Sequence, residues 1–275
     1  MLSDLASSST GVPGLELAEL TDLGLQFLFA MLRIGAFVLS APLFAARFVS
    51  LPVRIIITVC IALWILQNVP MPPAEDLASL ESVTWVLREL AIGLVAGMVL
   101  QIYFAAAVMA GDRIANTAGL GLAAQVDPTT GSQTPVIGQF FMLFLLAIFV
   151  AVDGHLVAIR LVLESYTLLP PGRPGTGLGF TDDGLAATDE MFRSAVRLMM
   201  PVVSVLILLN IVIGVITRSS PQLNIFAFGF PLTMTVTLLL LFVTTTTLGD
   251  ALLDHMAQAL QHVGDMLGGR VNGRE

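Results

Sequence analysis

Arg33, Asp153 and His155 are ionisable residues set within, or at the edge of, long apolar stretches of this 275-residue chain. A guanidinium at the centre of a bilayer helix costs roughly 2.5–3.5 kcal/mol on insertion scales, so Arg33 is expected to face protein or water rather than lipid. Glu89 is the counter-ion the sequence offers. Snorkelling, a structural ion pair and a direct place in a conduction path all remain open for Arg33. Histidine titrates near neutral pH, so Asp153 and His155 are able to relay protons; the plainer reading is that they flank a helix break at Gly154. Intramembrane proteolysis would need paired Asp residues in a Gly-x-Gly-Asp setting, a His-Glu-x-x-His helix or a Ser and His dyad, and none is present. Gly111-Asp112 and Gly249-Asp250 stand alone. All twelve basic residues are Arg, so the chain has no Lys for a Walker A loop or a Schiff base. The single Cys60 has no partner for a disulfide or a metal site and reads as a buried small hydrophobe. No catalytic residue, cofactor or metal is expected.

The elements that must position these residues are membrane helices. Hydrophobic residues make up 56% of the chain and charged ones 12%, and mean hydropathy is +0.90, which is outside soluble composition. The net charge of −8 and scattered Arg exclude a basic nucleic-acid stripe. Met1 to Glu19 has no Arg and carries Asp4, Glu16 and Glu19, the opposite of a signal peptide, so insertion is expected to rely on the apolar segments.

A spanning helix needs about twenty mostly apolar residues. The expected fold is therefore all-α and polytopic, with about six hydrophobic helices arranged as hairpins in a single membrane domain over 1–275. The segments are 23–43, 53–69, 90–110, 135–152 continuing to 169, 195–217 and 223–248, followed by an amphipathic helix over 250–267. In that last helix Leu253, Met256, Leu260 and Val263 form a stripe expected to dock on partner protein. Residues from Gly172 to Gly184 read as a loop, and Asp182, Asp183, Asp189 and Glu190 as part of an acidic connection. The bias of Arg toward the cytoplasm puts Arg47, Arg54, Arg113 and Arg218 on the inner side, with both termini outside. Gly93 with Gly97 and Ala147 with Ala151 mark candidate faces for neighbouring subunits, and Asn210 is placed to hydrogen-bond across helices.

Two connections carry more specification than linkers need. One runs from Ala110 to Gly131; its glycines and apolar residues suit packing inside protein or along a cavity. Gly119, Leu120, Gly121, Leu122, Gln125, Asp127 and Gly131 make it a candidate pore closure, with a passive packed connector as the alternative. The other runs from Arg218 to Thr233, where Pro221, Gln222, Asn224, Phe226, Gly229 and Pro231 interrupt an apolar run and form a candidate assembly turn.

At these residues the chain resembles the FliR/YscT/SpaR family of type III secretion export proteins. The likeness rests on Arg218 to Thr233, the Val126-Asp127-Pro128-Thr129-Thr130-Gly131 loop leading into Pro135, Asp153-Gly154-His155, and Ser40-Ala41-Pro42, in order along nearly the whole chain. The run Pro221 to Phe226 looks like the flagellar branch; a virulence-type injectisome is the alternative, and a small secondary transporter a more distant one. The resemblance implies a non-enzymatic export-gate subunit of the bacterial inner membrane and flagellar basal body. It further implies assembly with FliP-like and FliQ-like subunits and other export apparatus proteins into a pore for unfolded substrate proteins. Membrane lipid is then a partner, while nucleic acid is not. In the family the loop matching Gly119 to Thr130 helps plug the closed pore, often with Phe; here Leu122 and Gln125 stand instead. The family also sits partly out of the bilayer.

Overall fold

The computed structural model describes residues 17–120, 136–172, 180–220 and 228–268. Among them the chain is all-α, in nine helices: α1 (Leu17–Ser40), α2 (Leu51–Asn68), α3 (Ala74–Leu77), α4 (Ser82–Thr117), α5 (Val136–Ala151), α6 (Gly154–Leu168), α7 (Phe180–Ser219), α8 (Phe230–Val243) and α9 (Thr245–Leu267). Four of these, α1, α2, α4 and α7, are long and apolar enough to cross a membrane, and the total reaches six if the bent pairs α5–α6 and α8–α9 each count as one span.

The helix boundaries follow from local sequence. Ser50 precedes α2, a proline occupies its first turn, and the Pro70, Pro72, Pro73 cluster bars its continuation. Arg54 closes the connection before α2 by donating from Nη2 to the carbonyls of Ala46 and Val49, at 2.9 and 3.0 Å. Apolar content alone places α4 over 90–110, yet it runs for 36 residues, and α7 runs for 40. At 1.5 Å per residue both exceed a hydrocarbon core of about 30 Å by roughly 20 Å or more.

Three differences from the sequence expectation have clear causes. The helix expected to continue from 135 to 169 instead bends by 67° between α5 and α6, at the break that Asp153 and His155 were read to flank. Asp153 adopts φ 55°, which a right-handed helix cannot accommodate, and its carbonyl then accepts the Leu156 and Val157 amides to start α6. Helix α8 ends at Val243 rather than 248, and the chain bends by 64° into α9. Thr244 and Thr245 there turn their hydroxyls back onto the carbonyls of Leu240 and Leu241, both at 2.7 Å, a pattern that bends helices. Finally, α7 begins at Phe180, so Asp189 and Glu190 lie in a helix and not in a loop. Their ion pairs with Arg193 and Arg197, one and two turns on, support that polar extension.

The chain divides into two compact units. One comprises, among the described residues, 17–98, 159–172 and 264–268. Its core holds Ala30, Ile34 and Phe37 of α1, Ala62 and Ile65 of α2, and Ile92 and Ala96 of α4. The other comprises 99–120, 136–158, 180–220 and 228–263. It buries Leu100, Phe104 and Ala107 of α4, Leu145 and Phe149 of α5, Val202 and Leu206 of α7, and Leu252, Met256 and Val263 of α9. Met256 and Val263 are thus used inside this chain, which corrects the expectation that their stripe waits for a partner; Leu253 alone of the four is exposed. Gly93 and Gly97 are likewise internal: a Cβ there would meet Ala36 Cβ at 2.9 Å and the Ala41 amide nitrogen at 2.8 Å. Ala147 and Ala151 stay outward. Cys60 is exposed, not buried, because it lies on the outward side of α2 with Ile56, Leu63 and Trp64.

Candidate functional site

In the first unit Arg33 is fully buried, and each of its three nitrogens donates at least one hydrogen bond. Its Nε and Nη2 donate to the two carboxylate oxygens of Glu89 at 2.7 and 2.9 Å, a bidentate pair. Nη1 donates to Ser165 Oγ at 2.9 Å and Nη2 also to the Leu169 carbonyl at 2.8 Å. The guanidinium lies 4.2 Å from the centroid of the Tyr166 ring, whose hydroxyl donates to the Ala30 carbonyl at 3.0 Å. Guanidinium geometry suits this arrangement, since the planar fork matches a carboxylate while its face stacks on an aromatic. Side-chain exposures of 0% for Arg33 and 2% for Glu89 exclude snorkelling in the isolated chain. The cluster joins α1, α4 and α6 as a structural pin. Glu89 was legible as a partner; Ser165, Tyr166 and Leu169 were not, being more than 130 residues away with no local signal.

In the second unit the two specified connections meet. Helix α4 ends at Thr117, and its last carbonyls need donors from elsewhere. Asn210 of α7 donates from Nδ2 to the Thr117 carbonyl at 3.0 Å, and Thr233 of α8 donates from Oγ1 to the Ala118 carbonyl at 3.0 Å. Gly119 follows with φ +87°, and a Cβ on it would contact the Phe230 ring at 3.4 Å. The start of the Gly119 to Gly131 connection is therefore held against the end of the Arg218 to Thr233 connection. Leu120 continues from that clasp. Gly229 is buried, with ordinary right-handed backbone (φ −65°, ψ −48°), so no left-handed conformation calls for glycine there. Pro231 sits in the first turn of α8, where its missing amide costs nothing. Gly121, Leu122, Gln125, Asp127, Gly131, Pro221, Gln222, Asn224 and Phe226 lie outside the described residues.

Asp153 and His155 flank the α5–α6 break without touching each other. Asp153 is exposed, while the His155 ring meets the edge of Phe149, with Nδ1 buried and no partner among the described residues. Gly154 packs on Phe149, whose carbonyl would lie 3.0 Å from an added Cβ. This geometry makes a packed bend and no visible relay.

One cluster escaped sequence reading. Tyr103 of α4 stands between two histidines of α9: its carbonyl accepts from His255 Nε2 at 2.8 Å, and its hydroxyl lies 3.3 Å from His262 Nδ1. The spacing of seven that puts both histidines on one helix face was the available signal. Among the described residues no group of three or more His, Cys, Asp or Glu is placed to hold a metal ion.

Comparison with known proteins adds to this geometry. Residues 25–259 match the family described as bacterial export proteins, family 1. The chain is 32% identical to the flagellar biosynthetic protein FliR of Pectobacterium carotovorum subsp. carotovorum, over 74% of this chain and 78% of that one. It is 31% identical to the FliR protein of Escherichia coli (strain K12), over 74% and 78%, and 29% identical to that of Bacillus subtilis (strain 168), over 77% and 82%.

Proposed function

The chain belongs to the bacterial export proteins, family 1, as a membrane-embedded subunit of the flagellar export apparatus, and from that premise we propose that it forms part of the pore through which unfolded flagellar proteins leave the cell. The observation that carries the reading is the extent of the family match. It spans residues 25–259 and so includes both specified connections and the clasp that joins them. All three relatives above are named as flagellar proteins, which favours a flagellar over an injectisome apparatus.

The physical chemistry agrees with a subunit role. The outward faces of α2, α7 and α8 carry large apolar side chains, among them Ile56, Trp64, Leu208, Val215 and Phe242, which need lipid or neighbouring helices to cover them. FliP-like and FliQ-like subunits are the neighbours we assign, and the bacterial inner membrane at the basal body is the location. We assign the chain no enzymatic chemistry and no cofactor, in keeping with a family of export proteins, and read the buried Arg33–Glu89 pair as a structural contact. The Gly119 to Gly131 connection is proposed as the movable closure, hinged at Gly119, and the Arg218 to Thr233 connection as the turn that assembly requires.

Isolation of the tagged chain from native membranes tests the reading. FliP-like and FliQ-like proteins should come with it in a stable complex, and deletion of its gene should stop flagellar protein export. Recovery of the chain alone, with export intact in the deletion strain, would sink the assignment.

A further inference from the structure

We infer that the outward groove between α4 and α5 seats a membrane helix of a neighbouring subunit that presents a lysine or arginine to Asp112. This rests on the export-subunit reading and adds to it the face used and the chemistry of the partner. The groove, about 380 Å³, is lined by Gln101, Phe104, Val108, Met109, Asp112 and Met142.

Gln101, Ala105, Val108 and Asp112 follow one another at spacings of four, three and four, so they form one stripe along α4. Opposite Asp112 lies Gly138 of α5, where any Cβ would run into the carboxylate, and Gly111 and Gly138 bring the two backbones together: a Cβ on Gly111 would come within 2.7 Å of Gly138 Cα. The carboxylate is thereby pressed onto the α5 backbone. Its Oδ1 is shut off from solvent and has no hydrogen-bond donor among the described residues. Arg113, the neighbouring cation, is exposed one position further round the helix and gives Oδ1 no hydrogen bond.

A carboxylate only accepts; with Oδ1 sealed against α5, Oδ2 is the oxygen through which Asp112 lines the groove, so a neighbour's donor has to meet it there, and a cation satisfies its charge as well. Lipid tails provide neither. Gln101 makes the same demand independently. It is exposed at the middle of a 36-residue membrane helix, where hydrocarbon leaves an amide without partners. Ala105, small and exposed between the two, lets another backbone approach closely. The flanking Phe140 and Leu143 of α5, exposed at 59% and 61%, extend the apolar contact.

The test uses the full chain co-expressed with its apparatus neighbours and recovered as a complex in mild detergent. Asp112→Asn keeps the size of the side chain and removes its charge; complex recovery should fall about tenfold, whereas Asp112→Glu should retain most of it. Gln101→Cys in a Cys60→Ser background should cross-link to a neighbouring subunit in the membrane, a readout that does not depend on the folding of the Asp112 variants. Undiminished recovery with Asp112→Asn would overturn the ion pair. Labelling of Gln101→Cys by a lipid-soluble maleimide in the assembled complex, with no cross-link, would show that lipid covers the groove and overturn the docking face. Should the wild-type chain recover no neighbour at all, the export-subunit reading fails first and takes this inference with it.

Discussion

Arg33 donates four hydrogen bonds within the first unit, to Glu89, Ser165 and the Leu169 carbonyl. A buried pair of this kind is a weak source of net stability but a costly one to break, because the surviving charge is left without compensation. Glu89→Ala is therefore expected to destabilise the detergent-solubilised chain by about 3–5 kcal/mol, whereas Arg33→Met combined with Glu89→Met should recover most of that loss. Equilibrium unfolding in mixed detergent micelles measures both. A single substitution that costs under about 1 kcal/mol would mean that water or lipid headgroups reach the cluster.

At the scale of elements, backbone proximity decides which glycines matter. Gly111 and Gly138 hold α4 against α5 with 2.7 Å between a prospective Cβ and Gly138 Cα, so Gly111→Leu must push the helices apart. It should cost about 1–3 kcal/mol or more, read as a fall in thermal midpoint of the purified chain. Gly249 of α9 has nothing within 4 Å of such a Cβ. Gly249→Ala should accordingly raise stability by about 0.5–1 kcal/mol through helix propensity alone. The clasp at the end of α4 makes a third case. Asn210→Leu or Thr233→Val leaves one carbonyl without its donor, and each should cost about 0.5–2 kcal/mol. If the two losses add without coupling, the α7 and α8 contacts act separately; a shared loss would show that they hold one rigid end.

For the whole molecule the relevant quantity is the difference between closed and open states of an assembled pore. The proposed closure begins at Gly119, whose positive φ and contact with Phe230 define where α4 hands over to the connection. A gap of a few kcal/mol leaves the open state minor but reachable. Deleting Leu120 to Ala124 should leave complex assembly intact and make cells that overproduce the complex leak ions or small solutes, as followed by membrane-potential dyes. Assembly with a tight membrane would reassign the segment to passive packing. Gly229→Leu should act differently, abolishing complex formation, because Gly229 is buried where α8 begins.

Helix identity was legible from sequence because apolar runs of about twenty residues have few other fates, and the chain's own order of Pro, Gly and Arg marks their ends. The Arg33–Glu89 pairing was legible in outline for a related reason: an intramembrane cation needs an anion, and few are available. Asn210 was expected to reach another helix, though not which carbonyl it would find. The break flanked by Asp153 and His155 was legible in place through Gly154, but its angle was not, since it depends on the backbone angle of Asp153; the bend at Thr244 was hidden, because it depends on a hydroxyl rotamer that composition leaves open. Whether an apolar stripe faces inward is also beyond local sequence. Met256 and Val263 had the pattern of a docking surface, and only the packing of α9 in the folded chain showed that they are already covered. The same holds for Asp112, an isolated acid in the sequence whose meaning comes from Gly138 arriving against it. Periodicity along one helix specifies an apolar face, but its partner is set by contacts between segments far apart in the chain, and those exist only in the tertiary structure.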